Sequence, residues 1–181
     1  FMAGNTSLTS IVIPEGVTEI GKWAFRNATA LASISLPDSL ESFGAYADNA
    51  MTFMGTKITS IVIPDKVTEM PRNMFARCNE LVSITYGSGI TQANYVASAA
   101  LPKLAEIIFT SATPPTISTD FLEDQTLANL QIKVPAAAVD AYKAAENWTA
   151  YADRIVANTE AAATSAAMPE ALPAPSSKDE L

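Results

Sequence analysis

The densest acidic cluster in the chain is Asp120, Glu123 and Asp124. Carboxylates this close are the raw material of a calcium site or of a carboxylate pair for acid–base work. Their spacing fits no calcium-binding loop and no Gly stands at the turn, so the sequence favours a solvated loop. Cys78 is the one cysteine. It excludes an internal disulfide and a thiolate metal cluster, and no imidazole is available to activate it. With nothing to activate it, Cys78 is expected to serve as a small buried hydrophobe. The chain has no histidine at all, which removes His-based triads, His general bases and imidazole metal sites. The many serines form neither a Gly-x-Ser-x-Gly elbow nor a Ser-x-x-Lys motif, and the glycines form no phosphate loop. No catalytic residue, metal ligand or cofactor is therefore assigned. Trp23, Trp148 and the phenylalanines are expected in the core.

What these residues sit on is a repeat. Thr9-Ser10-Ile11-Val12-Ile13-Pro14 recurs letter for letter as Thr59-Ser60-Ile61-Val62-Ile63-Pro64, and Val-Thr-Glu follows each copy, at Val17 to Glu19 and Val67 to Glu69. Weaker copies lie between and after. Five starts, at Leu8, Leu31, Ile58, Leu81 and Leu104, are separated by 23, 27, 23 and 23 residues. Within a copy, Ile11 and Ile13 alternate with Ser10 and Val12, the period of a short strand with one face inward. Pro14 lacks the N–H needed for a ladder and ends the strand. Val17 and Ile20 are expected to point inward, Gly21 to make a tight turn, and Ala24 and Phe25 to return to the core.

Such a unit buries too little to fold alone, and stacking closes both faces of each coil. The second copy carries four extra residues and has Asp48 where Phe is expected, so Phe53 takes the buried aromatic role. The fourth has Gly87 in place of Pro. The fifth runs into Thr113-Pro114-Pro115-Thr116, a stiff extended segment. The predicted fold is a mainly β repeat solenoid of about five coils over residues 1–134. Residues 135–157 are expected to form a small helical cap, with Pro135 in the first turn and Val139, Tyr142 and Ala145 on one face. Asn147 stops that helix, and a second amphipathic stretch lays Trp148, Tyr151 and Ile155 over the last coil. Residues 158–181, rich in Ala, Pro and Ser, read as a disordered tail or linker.

The template Leu-x-x-Ile-x-Ile-Pro-x-x-Val-x-x-Ile-Gly-x-x-Ala-Phe resembles the BspA-like, or Treponema-type, leucine-rich repeat. The position where other leucine-rich repeats carry Asn holds Gly16, Ser39, Lys66 and Gly89. The ending, from Ser111 to Pro115, Ile132 to Pro135, Ala141 to Ala145 and Trp148 to Ile155, is similar to the closure of surface proteins from gut and oral Bacteroidetes. The resemblance spans about residues 8–157. It implies a secreted or surface-displayed leucine-rich repeat protein, without catalytic activity, that binds proteins and adheres to host or neighbouring cells. A spacer, or a targeting domain of a larger surface hydrolase, is the alternative.

Composition bounds the partners. Eleven Lys and Arg against nineteen Asp and Glu give a net charge of −8 with no basic cluster, which disfavours nucleic acid and anionic membranes. Apolar residues make up 49%, yet no run is long enough to span a membrane. Host or bacterial surface proteins, with glycans as a further class, are the expected partners of a monomer. Because the chain opens on Phe1, a signal segment is expected upstream. Lys178-Asp179-Glu180-Leu181 spells the eukaryotic endoplasmic-reticulum retention signal, which implies an endoplasmic-reticulum lumen only if a eukaryotic receptor reads it; the expected location is extracellular or at the cell surface. Asn5, Asn27 and Asn147 open glycosylation sequons that carry little weight in a bacterial protein.

The remaining candidate is a surface. Positions alternating with the buried isoleucines face outward in two columns, Ser10, Ser33, Ser60, Ser83 and Glu106, and Val12, Ser35, Val62, Thr85 and Ile108. Small hydroxyls beside β-branched residues suit the docking of an extended or flat partner.

Overall fold

The computed structural model describes residues 2–44, 50–96, 101–122 and 129–159. Asp48, Glu123, Asp124 and the tail from residue 160, with its Lys178–Leu181 ending, lie outside these residues.

The alternation of Ile with small polar residues produces a stack of short parallel strands: β1 (Ser10–Val12), β2 (Ser33–Ser35), β3 (Ser60–Ile63), β5 (Ser83–Tyr86), β7 (Glu106–Phe109), β9 (Gln131–Val134) and β10 (Ile155–Ala157). A second ladder is made of β4 (Glu69–Met70), β6 (Gln92–Ala93) and β8 (Thr116–Ile117). Register places like on like: Ile11 beside Ile34, and Ile61, Ile84, Ile107, Ile132 and Ile155 in an unbroken row. Each isoleucine fills the floor of its own coil and the roof of the next, so burial is complete only inside the stack. Ile61, Ile84, Ile107 and Ile132 are fully buried, whereas Ile11, in the first strand, and Ile34, in the second and without a paired strand on its far side, are half-buried.

The main ladder divides in two, with β1–β2 in one sheet and β3, β5, β7, β9 and β10 in the other. The 27-residue spacing of the second copy falls at that division. Lys57 N–H to Leu31 C=O, 2.8 Å, is one main-chain link that crosses it.

Phe53 does take the place expected of it. Its ring stacks between Phe25 (5.8 Å, 9°) and Phe75 (6.0 Å, 7°), and Phe43 meets it edge-on. The backbone around this column repeats as closely as the strands do. Trp23, Met51 and Asn73, each two residues before a column Phe, have φ of 63°, 46° and 59°. Two residues after it, Asn27, Gly55 and Arg77 again have positive φ, and Gly4 holds the matching place beside Arg26. The turn expected at Gly21 is thus made by Trp23, since Gly21 itself does not adopt positive φ. Met2 N–H to Ala24 C=O and Gly4 N–H to Arg26 C=O reproduce the turn-to-turn hydrogen bonds of later coils. Residues 2–8 therefore form one more repeat turn ahead of Leu8.

The closing segment differs from an all-helical cap. A 3-10 turn, Ala136–Ala138, leads into α1 (Val139–Ala144), and a second 3-10 helix covers Trp148–Arg154. The stretch expected to stay amphipathic through Ile155 then passes into β10, which pairs with β9. Ile155 fits the ladder because it meets Ile132 in register. Tyr142 and Trp148 are buried in an aromatic cluster around Phe109. Trp148 Nε1 donates to Pro115 C=O at 2.8 Å and the Tyr142 hydroxyl to Ser111 C=O at 3.0 Å. The polar atoms of these rings are thereby satisfied on burial.

Candidate functional site

The strand ladder brings all ten candidate residues to one face. Ser10, Ser33 and Ser60 are exposed and Ser83 and Glu106 half-buried in the first column; Val12, Ser35 and Val62 are exposed and Thr85 and Ile108 half-buried in the second. Val12 and Val62 are 60% and 59% exposed, the most exposed of the large apolar side chains among the described residues. Their β-branched shape suits the strand, and nothing in the core requires them to be apolar. The division between β2 and β3 splits the face into a two-strand part and a larger part.

The larger part continues beyond the candidates through β9. Gln131 stands in register with Glu106 and Lys133 with Ile108. Ile132-Lys133-Val134-Pro135 repeats the Ile-x-Ile-Pro template, the signal by which these two positions could have been included. Lys133 Nζ lies 2.6 Å from a Glu106 carboxylate oxygen. That bond, with a further one from Ser83, holds the Glu106 carboxyl below its usual range despite partial burial. The face thus grades from neutral hydroxyls and valines at one end to an ion pair at the other.

The residues considered for reactivity are placed structurally. The Cys78 thiol is fully buried, donates to Phe53 C=O at 3.0 Å and lies 3.5 Å from Thr56 Oγ1. Burial pushes its pKa up, the opposite of what a nucleophile needs. Asp120 is not the freely solvated carboxylate expected, because the Arg72 guanidinium grips both its oxygens. Arg72 also lies over the Tyr95 ring at 5.1 Å. Asn147, at a sequon, adopts φ 65° and donates to Ile117 C=O at 2.9 Å. Among the described residues no three of His, Cys, Asp and Glu converge on a common point, and no helix is long and apolar enough to cross a membrane.

Trp23 departs from the expected core position. It is 43% exposed, in contrast to Trp148. The inward place in its turn belongs to Phe25, two residues on, so the indole projects beside Lys22 and Arg26.

A sequence profile of the BspA type leucine rich repeat region matches residues 1–128 as six copies. The chain belongs to this family. The match counts one copy more than the five starts of the template. The BspA-type array superposes on PcpA, a pneumococcal vaccine antigen, with a TM-score of 0.61 and 22% identity, covering 85% of this chain and 35% of that one. It is also similar to a leucine rich cell surface protein from Faecalibacterium prausnitzii A2-165 (TM-score 0.46, 21% identity, 71% of this chain and 41% of that one). A leucine-rich repeat protein from Bacteroides ovatus ATCC 8483 matches with a TM-score of 0.47 and 19% identity, covering 73% and 41%. The chain therefore spans less than half the length of each of these structures. No curated protein sequence matches it.

Proposed function

We propose that this BspA-type array is a non-catalytic binding domain of a secreted or cell-surface protein, and that its strand ladder engages proteins on host or neighbouring cells. The observation that carries the reading is the exposed face bearing Ser10, Val12 and Ser33 on the paired strands β1 and β2 and Ser60 and Val62 on β3. Exposed apolar side chains held on a rigid ladder offer area to a partner without an ordering penalty. The neutral upper columns suit a flat or extended protein surface, and the Glu106–Lys133 pair fixes polarity at one end.

The test is a binding screen of the full chain against host matrix proteins and a glycan array, followed by Ser10→Arg, Ser60→Arg and Ser83→Arg combined. Three bulky cations crowd the face without entering the core. The expected result is a saturable protein hit, lost in the triple variant at an unchanged melting temperature. A protein hit that survives the triple variant removes the ladder from the binding role. Silence against every protein would instead favour a spacer.

A further inference from the structure

We propose that Trp23, Lys22 and Arg26 form a second binding site, separate from the strand ladder, for an acidic sugar: a pyranose bearing a carboxylate. The argument begins with the backbone. The turn before each column Phe requires a residue at positive φ, which Asn73 meets with a residue type that tolerates the conformation and Met51 with a flexible unbranched one. Trp23 occupies the same place at φ 63°, where a bulky side chain is an outlier that costs energy. The core does not use the indole, which is 43% exposed. Neither the turn nor the packing accounts for a tryptophan here.

The surroundings indicate the ligand chemistry. Lys22 Nζ lies over the Trp23 ring, 4.6 Å from its centre, and the Arg26 guanidinium lies over it at 5.5 Å. Arg72, Lys103 and Lys133 each hold an acidic partner. Lys22 and Arg26 have no acidic partner among the described residues, in a chain with a large acidic excess. The Arg26 Nε is also buried without a hydrogen-bond acceptor. Trp23 is held in place by its own N–H to Ala50 C=O (3.1 Å) and by Arg26 N–H to its C=O (3.0 Å). A fixed indole that carries two cations over its ring, neither of them in an ion pair among the described residues, offers aromatic surface and positive charge to a ring that presents C–H groups and a carboxylate together. An acidic peptide offers the charge without the flat apolar ring.

The chain reports on this site by itself, because its other tryptophan, Trp148, is fully buried. Trigalacturonate is titrated against the full chain while tryptophan emission is followed, with neutral trigalactose and hexaglutamate as controls. The expected result is saturable quenching by trigalacturonate, with both controls weaker by about tenfold or more. Raised salt should weaken binding. Lys22→Gln with Arg26→Gln should lower affinity about tenfold or more at an unchanged melting temperature. Trp23→Phe should remove the signal, and calorimetry on that variant should show the affinity falling too. Because the ladder is untouched, the Ser-to-Arg triple variant should bind trigalacturonate as the parent does. Emission unchanged by trigalacturonate, or equal binding of trigalactose, overturns the proposal. Hexaglutamate binding as tightly would assign the patch to acidic peptides and overturn it as well.

Discussion

Arg72 and Asp120 meet across 48 residues, with the ring of Tyr95 from the intervening coil under the guanidinium. Most contacts in a stacked array join adjacent coils, whereas this one ties a coil to its second neighbour. Both partners are partly solvated, so Arg72→Ala is expected to cost only about 1 kcal/mol, measurable by urea denaturation. The hydrogen bonds from Arg72 hold the folded-state carboxyl of Asp120 below its usual range. Its contribution is therefore present above the ordinary carboxylate range and is lost as pH falls through the depressed folded value. Melting temperature should fall less steeply on acidification in Arg72→Ala than in the parent, and parallel curves would refute the linkage.

Phe53 sits between two parallel rings and beneath a third. Phe53→Ala should cost about 3–5 kcal/mol by opening a cavity in the middle of the column. Ile61→Ala, in the unbroken isoleucine row, should cost about 2–5 kcal/mol. Chemical denaturation of both variants checks the order of magnitude.

Two glycines make a matched pair. A Cβ on Gly89 would fall 1.8 Å from Asp65 C=O, while one on Gly21 meets nothing within 4 Å. Gly89→Ala should therefore destabilise by about 1–3 kcal/mol or prevent folding. Gly21→Ala, at ordinary φ, should be neutral or stabilise by about 0.4–1 kcal/mol. Equal melting temperatures for the two variants would contradict the close approach of the coils at Asp65.

Cys78 should be silent toward a thiol reagent in the native protein and react fully in denaturant, because its sulfur is buried and its pKa raised. Stoichiometric labelling of the folded chain within minutes would show that the Phe75 turn opens readily.

The strands and the Phe53 substitution were legible because they rest on period and on residue type. The second ladder was not, since β4, β6 and β8 are two residues long and carry no measurable alternation. The outward columns followed directly from the alternation, but their extension to Gln131 and Lys133 was obscured by assigning Pro135 to a cap. Trp23 was misplaced for a different reason. Hydrophobicity alone cannot distinguish the inward Phe25 from a left-handed neighbour whose side chain the turn throws outward. Asp120 looked solvated because its partner, Arg72, is brought near only by the stacking of coils.

The division between β2 and β3 bears on how the array responds to a mechanical load. Tension along the stacking axis is resisted by hydrogen bonds between coils, and at this junction the strand row is missing while the turn bonds Phe53 N–H to Met74 C=O and Gly55 N–H to Ala76 C=O remain, so rupture begins there. Force entering from the N-terminal side would detach the first two coils as a unit and leave the five-strand block, with its aromatic cluster around Phe109, intact. A tethered chain with such a weak point yields in steps, and single-molecule extension should record the release of the first coils ahead of the rest.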